Sequence, residues 1–145
     1  MKEETLMNII LKNENNAILD DFKTDVIKTL TGEQSLEEVQ DLLVNIYYNK
    51  IIIDITAIKD HKNVNNVINF LRAFDPLKII IIFHPGELTA YNPVLGKLVE
   101  NGYYNFAKNI EGIQNLMLKP SSFADVEQYT KPMNISSLNP TNMDS

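Results

Sequence analysis

Lys50-Ile-Ile-Ile-Asp-Ile55 and Lys78-Ile-Ile-Ile-Ile-Phe83 are the two stretches that decide the fold. Both are β-branched and almost continuously apolar, the pattern of a strand buried on both faces in the middle of a parallel sheet. The segment between them carries Val64, Val67, Ile68, Leu71 and Phe74 at helical spacing and is stopped by Asp75-Pro76, which predicts a β-α-β unit. Upstream, Ser35 followed by Glu38 is a capping-box pattern, and Leu36, Val39, Leu42, Leu43 and Ile46 continue it as an apolar stripe. Residues 6–11 and 26–30 read as short strands, with a short helix over 15–22 that puts Ile18, Leu19 and Phe22 on one face.

Downstream, residues 91–101 predict a fourth helix, with Val94, Leu95, Leu98 and Val99 inward, Pro93 in its first turn and Gly102 just past its end. Residues 103–107 read as the last strand. Ile110, Ile113, Leu116 and Met117 form a fifth stripe before Pro120. Strands alternating with helices in this way predict an α/β fold, a three-layer α/β/α arrangement around a five-stranded parallel sheet.

Composition bounds the function. A chain of 145 residues suits one domain, expected here over 1–120, with 121–145 as a linker or flexible tail because Ser, Asn, Thr and Pro accumulate there. Cysteine is absent and only His61 and His84 offer imidazole, so thiolate chemistry is excluded and no metal site is expected. A formal charge of −6 gives no basic footprint for nucleic acid. The longest apolar run, residues 79–83, is far short of a membrane span, and the start of the chain lacks a signal-type apolar core. A cytoplasmic protein is the expectation.

In such a sheet, ligands bind at the carboxyl ends of the strands. Those ends carry Lys12-Asn13-Glu14, Thr31-Gly32, Asp54 to Thr56, His84-Pro85-Gly86 and Lys108-Asn109. Asp54 stands out, because a carboxylate inside an isoleucine run must be solvated or paired. It can accept a phosphoryl group or help hold a cation; it can equally pair with Lys108 or accept backbone hydrogen bonds near the next helix. His84 introduces a turn and has no Ser or Cys nucleophile motif beside it. No Walker-type Gly-Lys-Ser/Thr turn exists, so no cofactor and no ATP hydrolysis are expected of this chain. Tyr47-Tyr48 and Tyr103-Tyr104 suit a core or an interface better than base stacking, and Lys59-Asp60-His61-Lys62 reads as a solvated loop.

The pattern resembles a response-regulator receiver domain over about residues 5–120. Asn49-Lys-Ile-Ile-Ile-Asp54-Ile-Thr56 looks like the third receiver strand, with Asp54 at the phosphoacceptor position, and Gly102-Tyr-Tyr-Asn-Phe-Ala-Lys108 is similar to the Gly-to-Lys stretch before the last helix, one residue shorter. The resemblance implies a flavodoxin-like strand order of 2-1-3-4-5 and a pocket formed by Lys12, Asn13, Glu14, His84 and Lys108. It departs from the family where the Mg²⁺-binding acidic pair is replaced by Lys12-Asn13 and the strand-four hydroxyl by Phe83 or His84. A lysine there repels the metal that phosphoryl transfer needs, so the resemblance is to an atypical, pseudo-receiver domain with Asp54 as an unphosphorylated relic. The Gly-Tyr-Tyr-Asn-Phe element, the last helix and Pro120-Ser-Ser-Phe-Ala-Asp-Val-Glu-Gln-Tyr129 are also similar to the N-terminal region of MinD/ParA-type ATPases of the Tad-pilus localisation kind.

The implied function is a non-catalytic module that targets, dimerises or regulates an attached or partner ATPase. The implied interface, for a protein partner or a second copy, is the face of the fourth helix, fifth strand and fifth helix, carrying Tyr91, Lys97, Tyr103, Tyr104, Asn105 and Gln114. Two alternatives stay open: a genuine phospho-acceptor at Asp54, with Glu14 and Asp20 or Asp21 holding the cation, and a small-molecule binder at the sheet's switch point.

Overall fold

The run Ile79–Ile82 forms strand β4 and pairs in parallel with β3, Tyr48–Asp54, setting Ile51 opposite Ile79, Ile53 opposite Ile81 and Asp54 opposite Ile82. The computed structural model describes residues 7–14, 16–22, 25–84 and 92–130, without the side chain of Asp21. Around this pair stand β1 (Met7–Lys12), β2 (Val26–Thr31) and β5 (Phe106–Ala107), giving a five-stranded parallel sheet in the order β2-β1-β3-β4-β5. The helices are α1 (Leu36–Leu43), α2 (Val64–Leu71), α3 (Pro93–Glu100), α4 (Ile110–Leu118) and the single turn α5 (Phe123–Val126), which runs into a 3₁₀ turn, Glu127–Thr130.

Alternate isoleucines of the central strands point to opposite faces. Ile51, Ile53, Ile79 and Ile81 pack with Val39 of α1, Val67 and Leu71 of α2, and Leu95 and Leu98 of α3. Ile52, Ile80 and Ile82 pack with Leu19, Phe22, Ile113 and Leu116 on the other side. Two apolar layers on one doubly covered sheet make the three-layer, flavodoxin-like arrangement. At the amino ends of β3 and β4 two lysines tie neighbouring chain together: Lys50 Nζ donates to the Leu77 carbonyl (2.6 Å), and Lys78 Nζ donates to that of Tyr48 (3.4 Å) while lying over its ring.

Local signals shape the elements. Ser35 and Glu38 form the reciprocal capping box that starts α1, and Asn92 caps α3 with Pro93 in its first turn. Gly102 takes φ 93° beyond the end of α3, a left-handed conformation that glycine adopts without strain. The helix expected over 15–22 is instead a 3₁₀ turn, Ile18–Asp21: Ala17, at the N-cap position, has no side-chain acceptor, and Asn16 Oδ1 takes the Leu19 amide. The last strand, expected over 103–107, is confined to Phe106–Ala107, although the Asn105 carbonyl still accepts the Ile81 amide (2.9 Å) while its side chain accepts the Ser121 amide (2.8 Å).

Residues 121–130, expected to begin a linker, pack on the domain through Phe123, Val126 and Tyr129, while Ser122, Ala124, Asp125 and Gln128 are exposed. Val126 is 5% exposed and joins the core cluster on the α3 side. Residues from 131 lie outside the described residues. Among the described residues no helix is long and apolar enough to cross a membrane.

Candidate functional site

Asp54 ends β3 at the carboxyl edge of the sheet and is 1% exposed. A carboxylate this deep must have its oxygens satisfied, and they are. Oδ2 accepts the Asn13 amide (3.0 Å); Oδ1 accepts the Thr56 amide (3.0 Å) and the Thr56 hydroxyl (2.8 Å). The Asn13 side chain completes the knot, with Nδ2 donating to the Thr56 carbonyl (3.2 Å) and Oδ1 accepting the Glu14 amide (2.7 Å). The loops that follow β1 and β3 are thereby laced together across the centre of the sheet, and Asp54 also caps the short 3₁₀ turn Ile55–Ala57.

Lys12 ends β1 beside this knot and is almost as deeply buried as its neighbours. Its ammonium reaches Asp20 Oδ1 (3.0 Å) in the 3₁₀ turn. This pairing was not legible in the sequence, where Asp20 reads as a cation ligand; an i, i+8 pair across a loop carries no periodic signature. Asp20 is therefore committed to a lysine, and Glu14 is exposed. Among the described residues no three His, Asp or Glu side chains come together as a metal-binding group.

The pocket residues inferred from the sequence are brought together only in part. Lys12, Asn13 and Asp54 form one cluster, and the hydrogen-bond partners of Asp54 are Asn13 and Thr56, not Lys108, which is exposed beyond β5. Thr56 is the member that sequence reasoning missed, although its hydroxyl two residues past a buried Asp is a recognisable capping signal. His84 is half-buried at the end of β4. Next to Thr56 an open cavity of about 330 Å³ is lined by Ile55, His61, Lys62, Phe83 and Val94.

The six inferred interface residues divide as well. Tyr91 lies outside the described residues. Lys97 is exposed and near Glu100 (3.9 Å), and Gln114 is exposed on α4. Tyr103 is 4% exposed, and its burial pushes the phenol up from its ordinary value, with Arg72 acting weakly the other way. Asn105 is buried and held by Ser121. Tyr104 is half-buried, edge-on to Phe123 at 6.0 Å between ring centres. Tyr103, Tyr104 and Asn105 thus belong to the domain's own packing, Tyr103 within the core and Tyr104 and Asn105 against Phe123 and Ser121.

Compared with family models, with curated proteins and with solved structures, the chain matches none.

Proposed function

We propose that this domain is a non-catalytic, receiver-like interaction module, acting through protein contacts to place, pair or regulate a partner protein. An attached or partner ATPase of the MinD/ParA type is what the sequence resemblance adds to that reading. The observation that carries it is the closure of Asp54: both carboxylate oxygens accept hydrogen bonds from groups of the chain itself, at 1% exposure. A phosphoacceptor needs a free oxygen facing its donor and a cation beside it. Lys12, which ends β1 next to Asn13, has its ammonium paired with Asp20. Chemistry at the strand ends is disfavoured, which leaves the surfaces to carry function.

The test is an NMR titration of the full chain with Mg²⁺ and beryllofluoride. The amides of Asn13, Asp54 and Thr56 are expected to stay unmoved. Saturable, Mg²⁺-dependent shifts at those three amides would replace this reading with phospho-acceptor signalling.

A second reading, a small-molecule binder, draws on the cavity beside Thr56. Its volume falls at the lower end of the range of ligand sites, and its wall combines Ile55, Phe83 and Val94 with His61 and Lys62. A ligand that co-purifies with the protein, and whose removal lowers the melting temperature, would support it.

A further inference from the structure

Gly96 sits in the middle of α3, where glycine costs a helix about 1 kcal/mol relative to alanine. The structure gives that residue a use. A Cβ built on Gly96 would lie 2.8 Å from the backbone carbonyl oxygen of Tyr129, so the absent side chain is a notch into which the Tyr129–Thr130 backbone fits. The rest of the seat is aromatic. Phe123 meets Tyr104 edge-on (6.0 Å), and Tyr129 meets Phe106 edge-on (6.1 Å). Phe123, Val126 and Tyr129 are three residues apart, one stripe along a segment of α-helical and 3₁₀ turn.

Several features mark this segment as a separable strap. Its turns close on themselves: Asp125 Oδ2 accepts the amide and the hydroxyl of Ser122, the Asp125 amide returns to the Ser122 carbonyl, and the Thr130 hydroxyl donates to the Glu127 carbonyl. It adds no strand to the sheet. Its apolar contribution is light, with Val126 buried but Phe123 46% exposed and Tyr129 half-buried. Segments with little buried apolar surface open without global unfolding.

We propose that the α3–β5 face, built from the Gly96 notch, Tyr104 and Phe106, is a peptide-binding groove that this chain's own residues 122–130 occupy. A partner protein would dock there by displacing the strap. The partner's chemistry is set by the occupant it must replace: a short acidic amphipathic helix with large apolar side chains three residues apart. The strap carries Asp125 and Glu127, and beside Gly96 on α3 the exposed Lys97 stands 3.9 Å from Glu100. This deepens the interaction-module reading and rests on it. An intramolecular segment competes at an effective concentration in the millimolar range, so the seated strap is an efficient block.

The experiment uses the full chain carrying Val126→Asp, chosen to unseat the strap without altering Gly96, Tyr104 or Phe106, and a synthetic peptide of residues 120–130 as probe. The peptide is expected to bind V126D about tenfold or more tightly than the parent chain, with NMR shifts centred on Gly96 and Phe106. In the parent chain, amides of 123–130 are expected to exchange with solvent about 100-fold faster than those of Ile51–Ile53. A folded V126D that ignores the peptide overturns the groove. A V126D chain without a folded sheet, or strap amides exchanging no faster than the β3 core, makes the segment part of the fold and overturns the strap. Self-association of V126D without peptide assigns the face to a second copy and overturns the partner. Each of these readouts is separate from the Mg²⁺ and beryllofluoride response at Asp54, so the two proposals fail independently.

Discussion

The backbone amide of Asn13 donates to Asp54 Oδ2 over 3.0 Å, joining residues 41 apart in the chain. This bond and the one from the Asn13 side chain to the Thr56 carbonyl fasten the end of β1 to that of β3 at the carboxyl edge of the sheet, where the doubly wound topology reverses direction. Asp54 thereby ties together two neighbouring strand ends of the fold.

Replacing it therefore reads out as stability. Asp54→Ala strands two backbone amides and a hydroxyl in a buried site and is expected to cost about 3 kcal/mol. Asp54→Asn keeps one carbonyl acceptor and is expected to cost about 1–2 kcal/mol. Urea denaturation measures both, as a lowered midpoint with an unchanged slope. An Asp54→Asn chain as stable as the parent would mean that the knot contributes nothing.

Lys12 and Asp20 are expected to respond unequally. Lys12→Met removes a buried charge and keeps its apolar stem, leaving Asp20, which is mostly exposed, to water; stability should stay within about 1 kcal/mol of the parent. Asp20→Asn strips the buried ammonium of its counter-charge and should cost more, about 1–2 kcal/mol. Thermal unfolding of the two variants side by side checks the order.

Acid should loosen the start of α1. The Ser35 amide, and then its hydroxyl, hold the Glu38 carboxyl below its ordinary 4.5, with a smaller contribution from the Lys59 charge. A carboxyl depressed in the native state stabilises the fold fully above its unfolded value, and loses that contribution as pH falls through the native one. A carbon-13 titration of the Glu38 side chain should show the depressed midpoint, and Ser35→Ala should return it towards 4.5. Asp125 should behave alike through Ser122.

Gly96→Ala separates helix propensity from packing. In an open helix it would add about 1 kcal/mol. Here the new methyl meets the Tyr129 carbonyl, so the strap must shift. The expected outcome is an α3 that keeps its protection while the amides of 123–130 exchange faster. Strap protection equal to the parent's would show that the close approach does not hold the segment.

The sheet was legible because its cause is local and repetitive. The isoleucine runs at 51–53 and 79–82 have one solution as buried strands, and Ser35 with Glu38 states its own helix start. The hydrogen-bonding option for Asp54 could be read from its place in an apolar run, though its partners could not: Asn13 and Thr56 become neighbours only once β1 lies beside β3. Lys108 looked like a partner from its place after the last strand, yet its side chain is exposed. The segment 121–130 was hidden by composition. Serines and a proline suggest a linker, while Phe123, Val126 and Tyr129 show their common stripe only when the turn they lie on is known. Tyr104 and Asn105 followed from the same omission, since Phe123 and Ser121 beyond Pro120 are what they meet.

The pairing of β3 with β4 has a consequence for how the chain finds its alignment. Sliding one strand past the other by a residue would still set isoleucine against isoleucine, and since both faces of the sheet are apolar, the swap of sides would expose nothing. Greasy contact alone cannot tell the two alignments apart. The choice falls to the polar amino ends of the pair, where Lys50 reaches the Leu77 carbonyl and Lys78 that of Tyr48 with Ile51 standing opposite Ile79.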